Sequence, residues 1–186
     1  MEVIETGLSG LFILKPKLFE DERGYFFESY NKKVFAEIGV NFEFVQDNQS
    51  FSKFGVLRGL HYQLEPFAQT KLVRVLYGRV WDVAVDLRKG SPSFGKYYGI
   101  ELNDENKLSF LIPKGFAHGF VVLSDYALFF YKCDNYYSKE SDRGIRFDDP
   151  EINIAWPIKK EHLILSQKDR NLPFLRNAEI NFVFKG

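Results

Sequence analysis

The sequence predicts a mainly β fold, an antiparallel sandwich or barrel with a few short helices. Two observations carry this prediction. Aromatic residues make up 17% of the 186 positions, with 20 Phe and 10 Tyr, and aromatic side chains suit the half-buried surface of a pleated sheet. Short apolar runs also recur between turn signals from residue 71 to residue 133, a spacing typical of sandwiches and barrels.

Six of these runs predict strands. They are KLVRVLYG at 71–78, RVWDVAVDL at 79–87, KYYGIEL at 96–102, LSFLIP at 108–113, GFVVL at 119–123 and YALFFYKC at 126–133. The turn residues between them are Gly78, Lys89-Gly90-Ser91-Pro92, Asn103-Asp104 and Ser124-Asp125. An alternation of apolar and polar residues that begins at Ile180 predicts a further, terminal strand.

One helix is predicted over 32–38. Asn31 is a suitable N-terminal cap, and Gly39 is a suitable C-terminal stop. The apolar face of this helix consists of Val34, Phe35 and Ile38. A second short helix is predicted around 160–165.

Composition excludes several classes of function. The chain has 25 basic and 25 acidic residues and a formal net charge of zero, so we expect neither nucleic acid nor an anionic membrane surface as a partner. The single cysteine, Cys133, excludes an internal disulfide and suits a reducing cytoplasm. The apolar run LFIL at 11–14 is too short for a signal peptide or a membrane span. We expect one cytoplasmic domain over 1–186.

Two segments have the outline of the paired cupin motifs. GVLRGLHYQL, which contains His61, resembles the first motif, and PKGFAH, which ends at His118, resembles the second. Metal-binding cupins have two histidines and a glutamate in the first motif, whereas here Gln63 replaces the second histidine and no Glu lies at 67–68. Two imidazoles without a carboxylate are a poor site for a divalent ion. We therefore predict a cupin-type jelly-roll barrel with a pocket and without a metal.

The residues around His61 indicate what such a pocket can do. A neutral imidazole takes up a proton near neutral pH when a carboxylate fixes its tautomer. Arg58 and His61 would face opposite sides of a regular strand, unless Gly59 permits a bulge. Lys71 shares a strand face with two valines and can enter the pocket. The alternatives are a hydrogen-bonded strand histidine, a glycine required only for close packing and a solvated lysine at a strand end.

Two segments near the N-terminus add candidate ligand contacts. FEDERGYFFE supplies Phe19, Arg23, Phe26 and Glu28, and VQDNQS supplies Gln46, Asp47 and Asn48. Arginine can bind a diphosphate, and an aromatic ring can stack on a base. Taken singly, each of these residues also fits a turn or a core position.

These motifs, taken in order, resemble the dTDP-4-dehydrorhamnose 3,5-epimerase family. The matching runs are DERGYFFE, QDNQSFS, GVLRGLHYQ, AQTKLVRVLYG, WDVAVDLRKGSPSFG, IPKGFAHGFVVLSD, FYKCDNYY and LSQKD. They cover most of the chain from about residue 19 to residue 170. The runs GVLRGLHYQ and PKGFAHGF are the specific ones.

The resemblance implies a role for individual residues. His61 would be the general base and Asp169 its hydrogen-bonding carboxylate. Tyr131 would be the acid on the opposite face, and Lys71 would stabilise an enolate oxygen. The residues implied in substrate binding are Phe19, Arg23, Phe26, Glu28, Gln46, Asp47, Asn48, Arg58, Lys71, His118, Tyr137, Asp142 and Lys168, with Phe19, Phe26 and Tyr137 around the base. Asp142 stands where the family commonly has a glutamate, and its side chain is shorter by one methylene.

The implied reaction is epimerisation at C3 and C5 of dTDP-4-dehydro-6-deoxy-D-glucose to dTDP-4-dehydro-L-rhamnose, without metal or cofactor. A C4 ketone acidifies the hydrogens on both carbons because the carbanion left behind is an enolate. Three alternatives remain open: an epimerase that acts at one carbon or on another nucleotide 4-keto sugar, a non-catalytic cupin that binds a nucleotide or sugar, and a metal-dependent cupin oxygenase. The resemblance also implies a homodimer in which the segment 19–28 reaches the pocket of the neighbouring subunit.

Overall fold

The chain folds into two antiparallel sheets and a small hairpin. The computed structural model describes residues 1–185. The strands are β1 (Glu2–Glu5), β2 (Phe12–Lys15), β3 (Phe19–Asp21), β4 (Gly24–Phe26), β5 (Gln46–Lys53), β6 (Leu57–Gln63), β7 (Lys71–Tyr77), β8 (Arg79–Asp86), β9 (Tyr97–Asn103), β10 (Ser109–Ile112), β11 (Phe116–Val122), β12 (Tyr126–Cys133) and β13 (Asp142–Gly144). The helices are α1 (Lys32–Glu37) and α2 (Gln167–Arg170), and two 3-10 helices lie at Lys160–His162 and Leu175–Asn177.

The strand order places motifs that are distant in sequence next to each other. The six-stranded sheet has the order β1-β2-β10-β7-β12-β5, and the five-stranded sheet has the order β13-β6-β11-β8-β9. The hairpin β3–β4 forms a separate two-stranded sheet. Consequently β6 and β11, which contain the two cupin-like motifs, are direct neighbours in one sheet. The mainly β, cupin-type architecture is confirmed.

The six predicted runs correspond to β7 through β12. The run at 126–133 has the bounds of β12, and the others differ from their strands by one to three residues at an end. The largest difference is at β11, which begins at Phe116 because its first residues pair with β8. Short apolar runs between turn residues are therefore a sufficient signal for these strands.

The main core lies between the two sheets. Val73 and Val75 from β7 and Phe129 from β12 pack in one buried cluster with Ala84 from β8 and Phe120 from β11. A second cluster covers the other side of the five-stranded sheet, where the chain after residue 144 packs against it. A third lies between α1 and the outer side of the six-stranded sheet.

The predicted helix at 32–38 is confirmed as α1. The side chain of Asn31 accepts hydrogen bonds from the backbone N–H groups of Lys33 and Val34 at 3.1 and 3.4 Å. After the helix, Gly39 has a φ of +83°, a conformation that favours glycine. Within residues 1–185, no helix is both long enough and apolar enough to cross a membrane.

The helix predicted around 160–165 is wrong, because only Lys160–His162 forms a single 3-10 turn. Ile164 instead forms a parallel β-bridge with Val56. Its N–H donates to the carbonyl of Gly55 at 2.8 Å, and its carbonyl accepts from the N–H of Leu57 at 2.9 Å. This pairing requires an extended backbone.

The terminal strand predicted from Ile180 is also wrong. Over residues 180–185 the segment makes one bridge, between Val183 and Lys89, and no longer ladder. The predicted alternation of burial is present, since Phe182 is 4% exposed and Val183 is 66% exposed. Phe182 packs edge to face on Tyr62 with the ring centroids 5.8 Å apart, so side-chain packing attaches this segment to the sheet.

We expect Phe182→Ala to lower the free energy of unfolding by about 3–5 kcal/mol, because it removes a buried aromatic ring and leaves a cavity beside Tyr62. Urea denaturation would measure the change. The adjacent exposed side chain gives the control, and we expect Val183→Ala to change the free energy by no more than about 0.5 kcal/mol. Equal stabilities of the two variants would show that the segment is not attached through this ring.

Candidate active site

A cavity of about 570 Å³ opens between the two sheets. Eight of the residues implied by the sequence line it: Asn48, Arg58, His61, Lys71, His118, Tyr131, Lys168 and Asp169. They come from both sheets and from α2, which is the arrangement that a ligand site in a barrel mouth requires.

His61 and Asp169 form a close pair in this cavity. Oδ1 of Asp169 lies 2.6 Å from Nε2 of His61. Asp169 is placed by α2, where Oγ of Ser166 accepts a hydrogen bond from the Asp169 backbone N–H at 3.0 Å and caps the helix. Because the carboxylate holds a proton on Nε2, Nδ1 is the ring nitrogen that can accept a proton from a ligand.

The pKa of Asp169 lies below its ordinary value. Burial acts to raise the pKa, but the hydrogen bonds from His61 and Ser166 and the charge of His61 outweigh that effect. The carboxylate therefore stays ionised at neutral pH. A fixed negative charge therefore lies beside the ring, where it can stabilise positive charge that develops during proton transfer.

A bulge brings Arg58 to the same side as His61. His61 pairs with His118, while Arg58 pairs with Phe120, so two residues of β6 lie opposite one residue of β11. Between them, Gly59 has a φ of +126°, which L side chains rarely adopt. Nε of Arg58 donates to Oγ of Ser52 at 3.1 Å. Both readings of Gly59 from the sequence, a bulge and close packing, therefore apply.

The opposite wall presents Lys71 and Tyr131. Tyr131 pairs with Asn48 on one side and with Val73 on the other. Nζ of Lys71 lies 5.9 Å from the centroid of the Tyr131 ring. A ligand in the cavity would thus have a histidine on one side and a phenol with an ammonium group on the other.

Burial shifts the pKa values of both groups on this wall. It lowers the pKa of Lys71, while the charges of Asp142 and Asp82 act in the opposite direction. Burial raises the pKa of Tyr131 above its ordinary value. Tyr131 therefore keeps its proton at neutral pH and can donate it, and the ammonium form of Lys71 is favoured by a new negative charge nearby.

A second histidine and aspartate pair, which the sequence analysis missed, lies next to the first. Nε2 of His118 is 3.0 Å from both carboxylate oxygens of Asp82, and both residues are buried. Burial raises the pKa of Asp82, although His118 acts to lower it. The available signal was an aspartate in the middle of the apolar run RVWDVAVDL, since a charge buried in a strand needs a partner.

Three further predicted residues lie at the rim of the cavity. Asp142 accepts hydrogen bonds at Oδ2 from Nζ of Lys168 and, at 3.2 Å, from the hydroxyl of Tyr137. The backbone N–H of Tyr137 donates to Oε1 of Gln46 at 3.0 Å. Asp47 is on the other face of β5, where it forms an ion pair with Lys132 at 2.9 Å.

The predicted residues of the N-terminal segment do not line the cavity of their own chain. Phe19, Arg23 and Phe26 are exposed on the β3–β4 hairpin. Glu28 accepts a hydrogen bond from the side chain of Asn31 at 2.9 Å beside α1. Within one chain, the cavity is lined by residues 48–50, 56–58, 61, 71, 118, 120, 129, 131, 164–166, 168 and 169.

Among residues 1–185, no group of three or more His, Cys, Asp or Glu side chains is arranged to hold a metal ion. The two histidines in the cavity are each bound to a separate aspartate. At the position where metal-binding cupins have a second histidine, the amide of Gln63 bonds to backbone atoms.

The chain has close relatives over nearly its whole length. A family model described as dTDP-4-dehydrorhamnose 3,5-epimerase matches residues 5–177. The dTDP-4-dehydrorhamnose 3,5-epimerase of Shigella flexneri is 58% identical over 172 residues, which are 92% of this chain and 94% of that protein.

Solved structures of relatives have the same fold. The dTDP-4-dehydrorhamnose 3,5-epimerase of Elizabethkingia anophelis NUHP1 is 56% identical with a TM-score of 0.92, and the match covers 95% of this chain and 97% of that one. The dTDP-6-deoxy-D-glucose-3,5-epimerase of Legionella pneumophila Philadelphia 1, in complex with dTDP-4-keto-L-rhamnose, is 47% identical with a TM-score of 0.95 over 100% of this chain and 99% of that one. Because the family model and these relatives match almost the whole length of the chain, the chain belongs to the dTDP-4-dehydrorhamnose 3,5-epimerase family.

Proposed function

We propose that the chain is an isomerase that inverts C3 and C5 of dTDP-4-dehydro-6-deoxy-D-glucose to give dTDP-4-dehydro-L-rhamnose. The observation that carries the proposal is the His61 and Asp169 pair, which faces Tyr131 and Lys71 across one cavity. Family membership supplies the substrate class. The geometry supports a base, an acid and a cation in the positions that this reaction needs.

His61 abstracts the proton. Its Nδ1 accepts the hydrogen of the carbon next to the C4 ketone, while Nε2 stays hydrogen-bonded to Asp169. The ring then carries a positive charge, which the ionised carboxylate stabilises. The electrons of the broken C–H bond move into the enolate, whose negative charge is on the C4 oxygen.

Lys71 stabilises that oxygen, and Tyr131 completes the inversion. The new oxyanion favours the ammonium form of Lys71 and binds it in a water-poor cavity. Tyr131, protonated at neutral pH, donates its proton to the carbon from the wall opposite His61. Return of a proton to the other face changes the configuration of the carbon. Once His61 has released its proton to solvent and Tyr131 has taken one up from solvent, the same steps apply to the second carbon.

The remaining residues of the site hold the nucleotide. Arg58, His118 and Lys168 bring basic groups to the cavity wall, and a basic group pairs well with a diphosphate. Tyr137 presents an exposed ring at the rim, which suits stacking on the thymine base. The complex of a 47% identical relative with dTDP-4-keto-L-rhamnose supports a dTDP-sugar as the ligand.

The site is completed by a second copy of the chain. The hairpin residues implied in binding, Phe19, Arg23 and Phe26, do not line the cavity of their own chain and are exposed, so a neighbour can reach them. The edge strand β5 has one neighbour, β12, and carries the exposed ring of Phe51 stacked on Tyr126 at 5.2 Å. An open sheet edge beside exposed aromatic rings favours association. We therefore infer a cytoplasmic homodimer of one-domain subunits.

Hydrogen exchange with solvent tests the reaction. We expect deuterium at both C3 and C5 when dTDP-4-dehydro-6-deoxy-D-glucose is incubated with the protein in deuterated water and followed by NMR, and no enzyme-dependent exchange with His61→Ala. His162→Ala, which changes an exposed histidine outside the cavity, is the control and should exchange normally. Label at one carbon would replace the proposal with a single-site epimerase. Exchange no faster than with His61→Ala would mean that the protein acts on a different substrate or only binds its ligand.

Asp169→Asn should slow turnover about 10²–10⁴-fold, because the amide carries no charge to stabilise the imidazolium of His61. The measurement is kcat, together with urea denaturation to establish that the variant is folded. Asp125→Asn, an exposed carboxylate outside the cavity, is the matched control. A folded Asp169→Asn protein with the kcat of the wild type would refute the role of Asp169.

Mixing two inactive variants tests the shared site. In a dimer of Arg23→Ala and His61→Ala chains, one of the two pockets combines an intact His61 with an intact Arg23 from the partner chain. After subunits exchange, we expect about a quarter of wild-type activity, since half of the dimers are mixed and half of their pockets are complete. Activity no higher than the sum of the separate variants would place Arg23 outside the neighbour's pocket.

A further inference from the structure

Gln63 is buried at the end of β6, two residues beyond His61 and on the same face of the strand. Its Nε2 donates to the carbonyls of Phe67 and Tyr136 at 2.7 and 3.1 Å. Its Oε1 accepts from the N–H of Ser138 at 2.7 Å. Both amide hydrogens and the amide oxygen are thus bound to backbone atoms, and little of the group is left to bind a ligand.

Two of these three bonds flank Tyr137. The carbonyl of residue 136 and the N–H of residue 138 are fixed by the amide of Gln63, and the N–H of Tyr137 itself is fixed by Gln46. The ring of Tyr137 is nevertheless exposed, at 58% of its maximum. An exposed ring on an immobilised backbone is a preorganised surface for a flat ligand, because little conformational entropy remains to be lost on binding.

Hydrogen bonds tie this ring to the mouth of the cavity. Its hydroxyl shares Asp142 with Lys168, and Lys168 lines the cavity. The amide of Gln46 also donates to Oδ1 of Asn48 at 3.0 Å, and Asn48 lines the cavity too. Tyr137 is therefore held at the rim through its hydroxyl by Asp142 and through its N–H by Gln46. Gln63 holds the backbone on either side of it.

We propose that Gln63 is a positioning residue for nucleotide binding, which acts by holding the Tyr137 ring where the base of the dTDP-sugar stacks. The inference rests on the proposed function, because the base is what the ring would meet. A glutamine is suited to this role, since it donates to two carbonyls and accepts from one N–H without a charge. A glutamate of the same shape would lose both donors and repel the two carbonyl oxygens.

The competing explanation is that Gln63 only stabilises the fold. It joins the loop after β6 to the loop after β12, and other bonds join them as well, such as Gln69 Nε2 to the carbonyl of Asn135 at 2.8 Å. A purely structural role predicts lower stability with unchanged nucleotide affinity in the folded protein. A positioning role predicts weaker nucleotide binding that depends on the Tyr137 ring.

The experiment measures dTDP binding by calorimetry, and kcat and KM with the sugar substrate, in the full chain. For Gln63→Glu we expect the Kd of dTDP and the KM to rise on the order of tenfold or more, with kcat within about threefold of the wild type. The matched control is Gln69→Glu, which makes the same change in charge. The side chain of Gln69 makes one hydrogen bond to the loop after β12, so this variant should change the Kd of dTDP less than about threefold. If Gln63→Glu does not fold, Gln63→Met removes the bonds without adding a charge and should show the same pattern.

A double-mutant cycle decides between the two roles. In a Tyr137→Ala protein, adding Gln63→Glu should change the Kd of dTDP by less than about twofold, because the ring through which Gln63 acts is gone. Fully additive losses, or wild-type dTDP affinity in a folded Gln63→Glu protein, would overturn the inference and leave the proposed function intact. If the wild-type protein neither binds dTDP nor catalyses exchange, the proposed function fails first.

Discussion

The close approach of β6 and β11 determines which side chains reach the cavity. Arg58 and His61 face the same side only because two residues of β6 oppose one of β11. Both strands have glycine at the contact: a Cβ on Gly59 would lie 2.6 Å from Cα of Gly119, and a Cβ on Gly119 would lie 2.7 Å from the carbonyl oxygen of Arg58. A regular ladder would turn one of the two basic side chains away from the ligand. The chemistry of the site thus depends on the close backbone contact between Gly59 and Gly119, where neither strand has a Cβ atom.

Two buried carboxylates lie behind one wall of the cavity. His61 and His118 are cross-strand partners, and each binds its own aspartate through Nε2. Each pairing gives a buried carboxylate a hydrogen-bond donor, without which its burial would be costly, and it leaves the other ring nitrogen for a ligand. Lys71 provides a cation on the opposite wall, where burial lowers its pKa. An enolate oxygen beside Lys71 would favour its charged form, so the cavity is more complementary to the intermediate than to the ketone.

The sequence was most informative where one physical signal dominated. Short apolar runs between turn residues located β7 to β12, and the two cupin-like motifs located His61 and His118. The failures involve contacts between distant residues: the bridge between Val56 and Ile164 replaced the expected helix near 160, and Phe182 packs on the sheet without extending it. Periodicity contains no information on such partners. Asp82 was missed because its partner lies 36 positions away on the neighbouring strand.

The mouth of the cavity is held by neutral hydrogen bonds on its backbone, in contrast to the paired charges at its wall. At the position where metal-binding cupins use a histidine, the Gln63 amide satisfies two carbonyls and one N–H. Such bonds involve no titratable group, so they hold the backbone on either side of Tyr137 independently of pH. Gln63 and His61 lie on the same face of β6. The distance between the rim of the cavity and the general base, His61, is therefore fixed. Binding energy from the nucleotide can then be used to hold the sugar at the nitrogen that removes its proton.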